Sequence, residues 1–165
     1  MHIRTANSSD LERIAELESR CFPPAEGATL ASFANRLACY PNHFWLLETD
    51  DKLAAMVNGM VSDAPHLTDE MYDDASLHSE SGRWQMIFGV ATAPEYRRRG
   101  FAEALLRRAI QDARAQGRRG LVLTCKDALV PYYAKFGFQD EGMSDSTHGG
   151  VPWHEMRLTF PAQTP

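Results

Sequence analysis

The sequence predicts a mixed α/β (α+β) domain with a central mixed sheet flanked by helices. Three observations carry this. The chain has 165 residues, the length of one domain with a real core. It is 44% apolar and 24% charged, which is ordinary for a globular protein and excludes a disordered or fibrous chain. Its segments run strand, helices, hairpin, strand–helix–strand–helix–strand, strand, which is not the strict alternation of a doubly wound fold. No repeat or linker divides residues 1–165, so one domain is expected.

Each element has a local reason. His2 to Ala6 reads as a first strand. Ser9 followed by Glu12 suggests a capping box, and Leu11, Ile14, Ala15, Glu18, Cys21 and Phe22 trace a mostly apolar helical stripe. Pro23-Pro24 ends that helix, and Thr29 to Leu37 forms a second. His43 to Thr49 and Leu53 to Val61 read as strands joined in a hairpin at Asp50-Asp51. An acidic stretch from Ser62 to Gly82 follows, with a helix in its middle. Arg83 to Ala93 reads as one central strand. Gly100 to Gln116 is the clearest helix, with Phe101, Leu105, Ala109 and Ile110 inward, arginines outward and Gly117 as its C-terminal stop. Gly120 to Cys125 is a buried strand. Asp127 is expected to cap a short helix to Phe136, with Pro131 tolerated in its first turn. Gly137 to Glu141 and Trp153 to Phe160 close the sheet.

Charge is unevenly spread. The net charge of −5 argues against a nucleic-acid partner. Yet Arg97 to Arg119 holds eight arginines against Glu103 and Asp112, whereas Ser62 to Gly82 holds six acids and neither Lys nor Arg. The first stretch suits a polyanion and the second a cation, although both also suit plain solvated faces. No apolar run approaches a membrane span, and no apolar block opens the chain, so no membrane partner and no signal peptide are expected. Three scattered cysteines (Cys21, Cys39, Cys125) fit neither a disulfide framework nor a zinc cluster; reduced thiols in the cytoplasm are expected, with no metal.

The chemistry lies in Val90-Ala91-Thr92-Ala93-Pro94-Glu95-Tyr96-Arg97-Arg98-Arg99-Gly100-Phe101-Ala102. A strand runs into a basic, glycine-containing turn that opens a strong helix. The first turn of a helix offers unpaired N–H groups and a positive dipole end, a natural phosphate site. Gly100 admits a ligand close to the backbone. The pattern is neither the dinucleotide fingerprint nor a P-loop.

Arg97-x-x-Gly100-x-Ala102 resembles the pyrophosphate loop of the GNAT acetyltransferase superfamily, and Tyr133-Ala134-Lys135-Phe136-Gly137-Phe138 resembles its Tyr-x-x-x-Gly-Phe ending. The runs Cys125 to Tyr133, Leu77-His78-Ser79 and Cys21-Phe22-Pro23-Pro24-Ala25-Glu26-Gly27-Ala28 are similar to stretches of the arylalkylamine (serotonin) N-acetyltransferase subfamily. The resemblance implies acetyl-CoA as co-substrate, lying along Val90, Ala91 and Thr92. Its pyrophosphate would sit on the amides of Arg98, Arg99, Gly100, Phe101 and Ala102, with Glu103 next. Tyr133 takes the position of the general acid at the CoA sulfur. Two histidines that relay the amine proton in vertebrate members are replaced here by Met86 and Phe88.

With that relay gone, Glu26 is the leading candidate to take the amine proton through a water or to hold the ammonium. His148 and bulk solvent are alternatives, and the remaining histidines read as surface residues. A backbone N–H near Gly89 or Val90 is expected to meet the developing oxyanion. Cys125 reads as packing rather than nucleophile. Phe22, Phe33 and Trp153 are candidates for an aromatic amine pocket. The expected activity is acetyl transfer to a small primary amine, an arylalkylamine or a polyamine, by a monomer or homodimer. A protein Lys or N-terminal acetyltransferase and a non-catalytic acyl-CoA-binding module are the alternatives.

Overall fold

The computed structural model describes residues 1–146 and 148–161, the side chain of His148 excepted. Two sheets share one long segment. The first has the order β1 (His2–Thr5), β2 (Phe44–Thr49), β3 (Lys52–Asn58), β6 (Gly89–Thr92), all antiparallel. The second has the order β4 (Val61–Ser62), β5 (Trp84–Ile87), β7 (Gly120–Cys125), β9 (His154–Thr159), β8 (Gln139–Met143). Among the described residues only β5 and β7 run parallel, so the sheets together are mixed as expected. The helices are α1 (Leu11–Cys21), α2 (Leu30–Cys39), α3 (Asp69–Asp73), α4 (Phe101–Ala115) and α5 (Val130–Ala134).

Two expected strands are each broken. Leu53 to Val61 divides into β3 and β4 at Gly59-Met60, where Gly59 passes so close to Met86 that a Cβ would lie 1.8 Å from its carbonyl oxygen. Arg83 to Ala93 divides at Phe88. The Phe88 amide donates to the Asn58 carbonyl at 2.7 Å, while Asn58 is already paired with Gly89. Two residues thus face one, a bulge that bends the strand and re-aims its amides.

Local chemistry corrects other expectations. The first capping box is Asn7 with Asp10, not Ser9 with Glu12, because Asn7 accepts from the Ser9 amide and Asp10 returns a bond to the Asn7 amide. Asp127 makes no cap bond; it begins a 3-10 turn, and Pro131 in the first turn of α5 tolerates the missing amide. Thr29 does cap α2, accepting from the Ser32 amide. Asp50 and Asp51 both adopt positive φ, 53° and 59°, which matches the right-handed twist of a two-residue hairpin.

The core gathers around β2, β3 and α4. Phe44, Trp45, Leu46 and Leu47 are all buried, so β2 is covered on both faces. Leu105, Leu106, Ala109 and Ala113 form the buried stripe of α4, which packs on β2, β3, β6 and β7. Trp45 donates through Nε1 to Asp112 at 2.8 Å, tying the outer turn of α4 to the sheet.

Candidate active site

The split strand opens a wedge. β5 pairs with β7 only as far as Ile87 opposite Leu123. Beyond that point β6 follows β3 on one side, and Thr124 and Cys125 follow β9 on the other. Phe88, Gly89 and Val90 therefore face Leu123, Thr124 and Cys125 across a cavity of about 190 Å³. The Ala93 amide bonds to the Ala54 carbonyl of β3, so by antiparallel alternation the amides of Ala91 and Ala93 face β3 and those of Val90 and Thr92 face the wedge. The Thr92 carbonyl, also outside the β3 ladder, accepts from Cys21 Sγ at 3.2 Å and Arg97 Nε at 3.3 Å. Ala91 is buried.

The basic turn continues from β6. Arg98 and Gly100 both take left-handed backbone, with φ of 66° and 78°. Alternating left- and right-handed residues curl successive amides into a concave anion nest. The first intrahelical bond runs from the Ala104 amide to the Gly100 carbonyl, so the amides of Phe101, Ala102 and Glu103 have no helical acceptor. A Cβ on Gly100 would meet nothing within 4 Å, so the backbone is open to an approaching group. Arg98 and Arg99 are exposed, and Arg99 lies over the Tyr96 ring, 5.4 Å from its centroid. The Glu103 carboxylate turns away to Lys135 (3.4 Å) and Arg107 (3.3 Å), which lower its pKa. These features fit a diphosphate.

Tyr133 lines the cavity from α5 and is 8% exposed. Burial raises its phenol well above the ordinary value, so the hydroxyl keeps its proton throughout the neutral range. Glu26 reaches the cavity from the turn after Pro23-Pro24, its side chain 7% exposed, and Lys126 lies 2.6 Å from it. Tyr133, Glu26 and Val90 thus line one cavity. The side chain of His148 lies outside the described residues.

Other expectations are corrected. Phe22 and Trp153 line the cavity, but Phe33 is completely buried behind it, packed edge-on against Phe44. His43 and His78 are not surface residues. His43 is 1% exposed, bonded to Gln85 at 2.8 Å and Glu80 at 3.0 Å. His78 accepts the Val61 amide at 3.0 Å, and burial lowers its pKa. Met86 is fully buried, whereas Phe88 forms part of the cavity wall. Cys125 is buried against Met156 Sδ at 3.6 Å, and burial pushes its thiol up to about 11, which favours packing over nucleophilic attack. Within the acidic stretch, Glu80 is held by Arg118 and the two histidines, and Asp63 by Arg83; Asp73 lines the cavity.

Sequence reasoning missed Glu18, Arg36, Asn58 and Tyr72, which also line the cavity. Glu18 left a signal, a carboxylate within an apolar helical stripe; it is 7% exposed, and its Oε2 accepts the Ala28 amide at 2.9 Å, fixing the turn that carries Glu26.

The model of the acetyltransferase (GNAT) family matches residues 11–138. The chain belongs to this family. Serotonin N-acetyltransferase of Mesocricetus auratus is 34% identical over 112 residues, covering 67% of this chain and 53% of the relative. The chain thus spans about half the length of this curated relative. In fold it is similar to the loading GNATL domain of CurA from Lyngbya majuscula, with a TM-score of 0.82, 18% identity and 96% coverage of both chains. It is likewise similar to the GphF GNAT-like decarboxylase in complex with isobutyryl-CoA, with a TM-score of 0.79, 19% identity and coverage of 96% and 99%. Among the described residues of this GNAT chain, no helix is long and apolar enough to cross a membrane.

Proposed function

We propose that the domain is an N-acetyltransferase that moves acetyl from acetyl-CoA to a small primary amine by direct attack on the thioester. The observation that carries this is the shared cavity: the Val90 amide, Tyr133 and Glu26 face one wedge whose β6 wall runs directly into the anion nest at Arg98–Ala102. Acetyl-CoA supplies the activated acyl group and a diphosphate that anchors it. The amides of Arg99, Gly100, Phe101 and Ala102 hold that diphosphate. The Val90 N–H donates to the carbonyl oxygen as it gains charge, which a fixed dipole in a dry site does at no reorganisation cost. Tyr133 donates its proton to the sulfur as the C–S bond breaks, so that the thiol rather than the thiolate departs, and the phenolate left behind regains a proton from water. Glu26 attracts the ammonium form of the acceptor and receives its proton through water.

An amine of pKa near 10.4 is neutral in about one molecule in a few thousand at pH 7, so lowering the cost of deprotonation matters as much as the acyl transfer. The relative acting on serotonin and the aromatic walls Phe22, Phe88 and Trp153 favour an aromatic or alkyl body. A panel of small amines with acetyl-CoA, scored by free thiol, tests the proposal. Release of thiol that requires the amine supports it. CoA binding with no turnover on any amine or peptide would instead make the domain an acyl-CoA-binding module, and turnover on peptides alone a protein acetyltransferase.

A further inference from the structure

Arg36 is unused by the acetyl-transfer reading. It extends from α2 into the cavity wall and is 3% exposed. A guanidinium carries five N–H donors and a permanent charge. Nη1 donates to Asn58 Oδ1 at 3.0 Å and Nη2 to the Tyr72 carbonyl at 3.2 Å, while Nε is buried with no acceptor. Among the described residues no carboxylate forms an ion pair with it. The rings of Phe33, Phe88 and Tyr72 lie 5.1, 5.0 and 5.9 Å from Cζ. Their faces moderate the charge but offer neither a counter-ion nor an in-line acceptor. A cation taken from water in this way is incomplete without an anion.

The same cavity is also lined by two carboxylates, Glu18 and Glu26. It therefore presents both signs of charge among aromatic side chains. We infer that the acceptor is an amine that also bears a carboxylate, an amino acid with an apolar or aromatic body, and that Arg36 receives the carboxylate. This rests on the reading of the cavity as the acceptor pocket. It disfavours polyamines, whose second cation would face Arg36.

Matched pairs differing only in the carboxylate test it: tryptamine against tryptophan, and phenethylamine against phenylalanine, each with acetyl-CoA and scored by thiol release. The expected result is a kcat/KM preference for the amino acid of about tenfold or more, abolished in Arg36→Met and partly kept in Arg36→Lys, the variant that retains the charge should Arg36→Met fail to fold. A wild-type preference for the bare amine overturns the inference while leaving acetyl transfer intact, as does a preference that Arg36→Met leaves unchanged. An Arg36-dependent preference for malonyl-CoA over acetyl-CoA overturns it by placing the carboxylate on the donor. Should no amine or amino acid release thiol, the reading of the cavity fails first; calorimetry of tryptophan with the CoA-loaded protein then reports separately, and no binding overturns the inference too.

Discussion

Lys126 holds its ammonium 2.6 Å from a Glu26 carboxylate oxygen, and the two sides of the pair are unequally wet: the lysine side chain is 49% exposed, the glutamate 7%. On the proposed reading, an acceptor ammonium would compete with this lysine for Glu26. Glu26→Gln is expected to lower kcat/KM for every amine by about tenfold or more, the scale of a lost charge-assisted contact. Lys126→Met removes the internal competitor and should lower KM for cationic amines with little change in kcat. Steady-state kinetics on both variants check this; unchanged KM in both would remove Glu26 from acceptor binding.

The anion nest makes two predictions of different origin. Arg99→Glu should weaken CoA by about tenfold, because a negative charge now sits beside orphaned amides. Gly100→Ala forces a side chain into left-handed backbone, φ 78°, at roughly 1–2 kcal/mol, and fills the open space above the nest. CoA titration by calorimetry should show both losses, and thermal melting should show destabilisation only for Gly100→Ala.

Tyr133→Phe keeps the ring contacts with Tyr132 and Phe138 and removes the proton donor. Turnover should fall by about 10²–10⁴, the usual worth of a general acid, while CoA affinity stays constant. Near-normal turnover when chemistry limits the rate would exclude the role.

How far this site was legible in sequence depends on the residue. The positions of Gly100 before α4 and of Tyr133 on the cavity wall were legible because a basic, glycine-containing turn before a helix and a Tyr-x-x-x-Gly-Phe ending are local patterns. The wedge was not, since Arg83 to Ala93 has the composition of one strand, and only the crossing at Gly59 and the bulge at Phe88 divide its partners between two sheets. Arg36 was invisible for a related reason: a lone arginine on an amphipathic helix reads as solvent-facing until Tyr72 of α3 and Phe88 at the bulge close over it.

Asp10 predicts acid sensitivity far from the cavity. Its side chain is 3% exposed and bonded to Arg4 at 2.7 and 2.8 Å, with Arg13 at 3.5 Å and Glu48 completing the cluster. Arg4 holds the Asp10 carboxyl below its ordinary value of 3.8, and lowers Glu48 likewise. A depressed folded pKa stabilises the fold fully above the unfolded value and less as pH falls through the folded one, so the loss belongs below about pH 4. Asp10→Ala should cost about 3 kcal/mol at pH 7, because it strands two guanidinium contacts and removes a cap. Urea melts at pH 7 and pH 3 check it: the variant's deficit should shrink at pH 3.

The last prediction concerns the missing imidazoles. Met86 is fully buried, and Phe88 packs on Tyr72 with ring centroids 4.5 Å apart, so neither position carries a proton between cavity and solvent. Burial raises the phenols of Tyr133 and Tyr72, the latter to about 12, so both stay protonated below pH 10. No group at those two strand positions can set an inflection near the reference histidine value of about 6.5. What titrates is the acceptor: kcat/KM should rise with pH toward the amine's own pKa, and the inflection should move when the amine is exchanged for one of different pKa. Glu26→Gln should depress the whole profile without moving its inflection, because the inflection belongs to the acceptor amine. Profiles for two amines with wild type and Glu26→Gln decide the point. A single inflection near pH 6.5, the same for both amines and lost in His148→Ala, would identify His148 as the base and leave Glu26 only the task of holding the substrate.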